Sequence, residues 1–202
     1  MPIDTNVWSA GPSWYHQLLQ WDSEWYFRIV TEGYGYNGDP TIPQNIVFYP
    51  LYPMLARGLA AISGISAPDT LLLVANISGF CAIVLLFKLV REEFGDDLAL
   101  ATVALLSFIP TSVLLSAGYT EPLELLLVVS FFLTLKLPYL TLSGGSAGFV
   151  SMSRFNLVSF PLFVVMADVG LRAKWLLIGV IGLFSAALFM NAALFARRIW
   201  IG

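Results

Sequence analysis

Apolar residues along this chain gather into long runs, and short polar breaks separate them. Leu71–Val90, Leu98–Ala117, Leu123–Leu137 and Trp175–Phe195 are the cleanest runs. They approach the length of about 20 apolar residues that a membrane-spanning helix needs. Phe155–Val169 is a shorter run that contains Pro161. Residues 46–65 are apolar but carry Pro50, Pro53 and Arg57, which predicts a proline-broken juxtamembrane or re-entrant helix. Ahead of them, residues 1–45 are polar and aromatic. Trp8, Trp14, Tyr15, Trp21, Trp25, Tyr26, Tyr34 and Tyr36 suit a membrane–water interface, where apolar ring and polar tip are both satisfied. A short interfacial helix is predicted over His16–Val30, and Gly33, Gly35, Gly38, Asp39, Pro40 and Pro43 read as loop.

The expected fold is therefore all-α and polytopic, with about four or five spans and an outer juxtamembrane region. It divides into 1–68 (outer loop, interfacial helices and the proline-broken helix), 69–137 (three spans), 138–153 (linker) and 154–202 (a C-terminal helix pair).

Composition supports this. The chain is 58% hydrophobic and 11% charged, against about 25% charge in soluble domains. That excludes a soluble globular protein and a disordered tail. A net charge of −3 offers no basic patch, so nucleic acid is not an expected partner. The single Cys81 forms no bridge within the chain. The first residues lack the basic and apolar parts of a signal peptide.

Lys88 and Arg91 assign the 91–97 loop to the cytoplasmic side, and Lys136, Arg172 and Lys174 agree. Residues 1–68 and the GYTEPL loop at 118–123 then lie outside. Only a short, glycine-containing stretch joins Leu137 inside to Arg154 outside. This strain predicts an incomplete chain, lacking a first helix and a block of helices near 140–150.

Four clusters carry candidate chemistry. In the first, Gln20, Trp21, Asp22, Ser23, Glu24, Trp25 and Tyr26 combine two carboxylates with aromatic rings. A carboxylate here can act as general base, hold a metal, or cap a helix. The second, Phe48-Tyr49-Pro50-Leu51-Tyr52-Pro53, is either an aromatic belt or a site wall. The third is Tyr119-Thr120-Glu121-Pro122, with Glu124 nearby. Glu121 is a solvated helix-start acid or a functional one. In the fourth, Arg154 (beside Ser153 and Phe155) either forks onto a phosphate or snorkels. Arg57 has the same two readings. One histidine, His16, and one cysteine leave no zinc site. Glycine-rich nucleotide motifs and a GxSxG serine motif are absent.

The order WDSEWYFRIVTEGY, NIVFYPLYPML, SAGYTEPLELLLVVSFF, SRFNLVSFPLFVVMAD and ALFARRIW resembles the PIG-V type of mannosyltransferase and its prokaryotic relatives, within the GT-C superfamily. The eukaryotic members act in GPI-anchor assembly. The resemblance implies a polyprenyl- or dolichyl-phosphate-mannose donor, a glycan or glycolipid acceptor, and catalysis on the extracytoplasmic side of a bilayer. That bilayer is the ER membrane in a eukaryote and the plasma membrane in a prokaryote. It implies Asp22 as general base with Glu24 in support. Trp21, Tyr26, Tyr49, Tyr52, Tyr119, Glu121 and Arg154 would bind substrates, with Arg154 on the donor phosphate. No metal is required, although a carboxylate-bound divalent ion is compatible with the acids. Family members run to about twice this length, so a non-catalytic remnant or an accessory membrane subunit is the first rival. A small lipid or solute transporter is the second. Acids at the span ends and the lack of internal repeats count against the transporter.

Overall fold

The computed structural model describes residues 17–39, 41–135 and 160–196. Their regular structure is helical, with no strand among them. The helices are α1 (Asp22–Glu32), α2 (Leu51–Ser63), α3 (Ala67–Phe94), α4 (Asp96–Phe108), α5 (Glu121–Leu135), α6 (Phe160–Arg172) and α7 (Lys174–Ala196). Single 3₁₀ turns occur at Asn45–Val47 and Ser112–Leu115.

Several expected boundaries move, each for a physical reason. The expected interfacial helix over His16–Val30 is interrupted: Gln17 is helical, Trp21 has φ 57° and ψ −116°, which no helix accommodates, and α1 runs from Asp22, while His16 lies outside the described residues. The prolines of the second cluster do not break a helix; they start one. Pro50 precedes α2 and Pro53 sits in its first turn, where backbone N–H groups have no helical partner to lose. Ser66 caps α3, its hydroxyl accepting from the Asp69 N–H, and Pro68 occupies the first turn. The expected span Leu98–Ala117 is interrupted: α4 stops at Phe108 and Ile109 is extended at ψ 142°. Pro110 imposes this, since its ring disfavours a helical residue before it. The linker 138–153 lies outside the described residues.

Helix α3 is the organising element and packs against α2, α4 and α5. It meets α4 through one residue, Gly95, whose φ of 89° a side chain would resist. Helix α4 in turn packs on α6 and α7. Two apolar cores result. The larger joins α3, α4, α5 and α6 through Leu86, Leu105, Leu125, Val129 and Phe163. The smaller joins α1 and α2 to the start of α3 through Leu19, Ile29, Tyr52, Ala56, Leu71 and Ala75.

Among the described residues, two helices are long and apolar enough to cross a membrane. They are α3, and α7 over Lys174–Leu194. At 13 residues, α4 reaches only about 20 Å, short of a hydrocarbon core of about 30 Å, and α5 is described as far as Leu135. The α7 window has no buried residue, and Trp175, Ile178, Leu183 and Phe189 are open. Among the described residues, a long-range polar bond of α7 runs from Asn191 Nδ2 to the Pro110 carbonyl, 3.2 Å. That bond meets an acceptor at the break after α4.

The connection over 33–48 is braced by its own side chains. Asn45 takes the Gly35 N–H on Oδ1 and gives Nδ2 to the Gly33 carbonyl, both 2.9 Å. Gln44 takes the Asn37 N–H at 2.7 Å and donates to the Asp39 carbonyl at 2.6 Å. Asp39 accepts from the Thr41 N–H and hydroxyl, which holds its carboxyl below the usual range. Tyr34 closes the loop by donating to the Phe48 carbonyl at 2.9 Å.

Candidate functional site

Three of the sequence clusters meet at one end of the molecule. On α1, Ser23, Tyr26, Ile29 and Val30 recur at helical spacing and are buried. This face docks against the start of α2, α3 and the 117–120 turn. The Ser23 hydroxyl donates to the Gly118 carbonyl at 2.7 Å. The Gly118 N–H donates to the Leu18 carbonyl at 2.9 Å. Tyr119 donates to the Gln20 carbonyl at 3.1 Å. Tyr26 reaches the Thr120 hydroxyl at 3.4 Å and stacks edge-on with Tyr52 and Phe48, centroids 5.0 and 5.1 Å apart. Tyr52 donates to the Leu71 carbonyl at 2.9 Å.

The approach of α1 to the 117–120 turn is close. A Cβ on Gly118 would lie 2.7 Å from Leu19 Cδ2 and 3.2 Å from Ser23 Oγ. Behind it, a Cβ on Gly79 would lie 3.1 Å from the Leu115 carbonyl oxygen. Glycine at both positions lets α1, α3 and the 112–122 segment come together.

Asp22 is the first residue of α1 rather than its N-cap, a position that Trp21 fills without a side-chain cap. Both Asp22 and Glu24 stand in the first turn, where the helix dipole favours negative charge. Residues two apart on a helix do not face each other. The two carboxylates therefore flank Ser23 instead of forming a pair. Trp21 supplies the bend before them. With its φ and ψ and the Ser23 N–H to Gln20 carbonyl bond of 3.1 Å, residues 20–23 form a type II′ turn. That turn wants glycine at its second position. A tryptophan there stores about 1–3 kcal/mol of strain.

Glu121 begins α5 at 2% exposure, and Tyr52 and Tyr119 are likewise enclosed. Burial, with Tyr26, Glu121 and Tyr119 close by, pushes the Tyr52 phenol well above its ordinary value. Tyr49, by contrast, is 77% exposed and stands apart from this cluster. Arg57 lies with Nη1 3.2 Å from where a Gly33 Cβ would be. It thus sits at the C-terminal end of α1, an electrostatically favoured place for a cation. Arg154 and His16 lie outside the described residues. Among the described residues, no three His, Cys, Asp or Glu side chains gather as metal ligands.

Beside the acids, Trp25 stacks on Phe48 at 5.9 Å. The pair helps to wall a cavity of about 490 Å³ with Tyr36, Thr41, Pro43 and Gln44. Sequence reasoning gave roles to the acids and rings, but held Gln20 and Ser23 only as members of the first cluster and Gly118 only as part of the 118–123 loop. The signal for Ser23 was present, because it falls on the buried helical face with Tyr26 and Ile29. Gly118 carries no sequence mark that distinguishes it from a loop glycine.

Comparison with known proteins agrees with the sequence blocks. The family description Mannosyltransferase (PIG-V) matches residues 4–173. A GPI mannosyltransferase 2 of Cryptococcus neoformans is 28% identical over 166 residues, covering 74% of this chain and 37% of the relative. A GPI mannosyltransferase 2 of Drosophila pseudoobscura pseudoobscura is 32% identical over 114 residues, covering 52% and 24%. The match thus spans little more than a third of the length of the first of these relatives and about a quarter of the second. No solved structure matches. With a match across most of its length, and with the matched segments 20–26 and 118–121 brought together in the fold, the chain belongs to the PIG-V mannosyltransferase family.

Proposed function

We propose that this chain carries the catalytic end of a multi-pass membrane glycosyltransferase. The enzyme moves mannose from a polyprenyl- or dolichyl-phosphate-mannose donor to a glycan or lipid-linked acceptor on the extracytoplasmic face. Asp22 takes the proton of an acceptor hydroxyl. The hydroxyl oxygen bonds to the mannose anomeric carbon as that carbon's bond to phosphate oxygen breaks. The lipid phosphate leaves with the electron pair, and the anomeric centre inverts. Glu24 orients the acceptor from the other side of Ser23, and Arg154 steadies the departing phosphate. In this reading α3 to α7 all lie in the bilayer, in the ER if the source is eukaryotic.

One observation carries the proposal. Residues 20–26 and 118–121 are nearly a hundred positions apart, yet side-chain and main-chain bonds lock them together. The chain thereby gathers Asp22, Glu24 and Glu121 at the same end of α3. The aromatic cavity beside Trp25 falls in the size range of small-molecule sites, about 300–1,000 Å³, and suits a sugar ring.

The test is mannose transfer from a lipid-phosphate donor by membranes bearing the protein, with Asp22→Asn compared at equal expression. Loss of transfer is expected. Full activity in Asp22→Asn removes the assigned base, and stable insertion without transfer in the unaltered protein favours the accessory-subunit reading.

A further inference from the structure

We infer that Tyr119 is a positioning residue, whose hydroxyl holds the strained turn at Trp21 and thereby fixes the direction of Asp22. The inference rests on the reading of Asp22 as the general base.

The strained dihedral at Trp21 is bracketed. Before it, the Leu18 and Gln20 carbonyls are bonded to the Gly118 N–H and the Tyr119 hydroxyl. After it, the Ser23 hydroxyl is bonded to the Gly118 carbonyl. Two residues of the outer turn thus pin the chain on both sides of Trp21 and Asp22. A tryptophan left to itself relaxes out of φ 57°, ψ −116°. Relaxation there rotates the next peptide and moves Asp22. Tyr119 has no exposure, so it acts through this bond and not by touching a sugar. Ser23 and Gly118 also bear on core packing. The Tyr119 hydroxyl can be removed with little change in shape, which makes it the informative group.

The experiment is a double-mutant cycle in membranes bearing the protein. Tyr119→Phe is expected to lower kcat about tenfold with KM within about twofold, as a small misplacement of a reacting group does. Glycine adopts the turn's dihedrals without strain. In a Trp21→Gly background the clamp is not needed, and Tyr119→Phe is expected to cost less than about twofold. Amide exchange over 20–24 gives a readout independent of turnover. It is expected to accelerate in Tyr119→Phe and to be unchanged when the same substitution is made on Trp21→Gly. Equal cost of Tyr119→Phe in both backgrounds, or unaltered exchange, overturns the inference. Full activity of Asp22→Asn overturns the reading of Asp22 instead, and leaves the clamp to be judged by exchange alone.

Discussion

Gly118→Ala tests whether the close approach of α1 to the 117–120 turn is what builds the site. The added methyl would stand 2.7 Å from Leu19 Cδ2 and 3.2 Å from Ser23 Oγ. Leu19 is 1% exposed and packed in the smaller core, so it has little room to retreat. Forcing a methyl into a packed contact costs about 1–3 kcal/mol. Displacing α1 also weakens the 2.7 Å Ser23–Gly118 bond, worth about 1 kcal/mol. The sum is about 2–4 kcal/mol, which lowers Tm by roughly 10 °C for a chain of this size. Thermal unfolding in detergent, followed by helical ellipticity, reads the effect. Gly35→Ala is the control: nothing lies within 4 Å of its Cβ position, and its Tm should not move measurably. Adding Leu19→Ala to Gly118→Ala makes room for the methyl, so the pair should cost less than the sum of its parts. If Gly118→Ala melts with the wild type, the close approach is not a determinant of this fold.

Two further outcomes follow from buried polar contacts. The folded-state pKa of Tyr52 is raised from 10.0, so its contribution is complete below that pH and is lost as pH climbs toward the raised value. Unfolding stability should therefore fall above pH 10 in the wild type and fall less in Tyr52→Phe. Asn191→Leu removes the donor to the Pro110 carbonyl. It should cost about 1 kcal/mol, read as a lower Tm, whereas Asn191→Gln should retain part of the bond.

The all-helical architecture was legible because runs such as Leu71–Val90 admit no other reading. Helix ends were less so. The break at Pro110 is local and visible in the sequence, but the apolar run continues through it to Ala117 and masks it. The start of α1 depends on one dihedral at Trp21, imposed by contacts with residues nearly a hundred positions away. No periodicity encodes such contacts. For the same reason Asp22 and Tyr119 could be singled out as separate clusters, but not the bonds that join their segments. Asp22 and Glu24 looked like a pair by spacing; helical geometry separates them.

The bracing of the 33–48 loop has a consequence for the surroundings it can tolerate. Its supports are amide and hydroxyl bonds, with Asp39 the sole charged contributor and no ion pair among the loop's described residues. Ionic strength, which screens exposed charge pairs, has little purchase on such a scaffold. An anion placed beside it would find no salt bridge among these residues to compete for, and the wall formed by Tyr36, Pro43 and Phe48 rests on bonds that salt screens little.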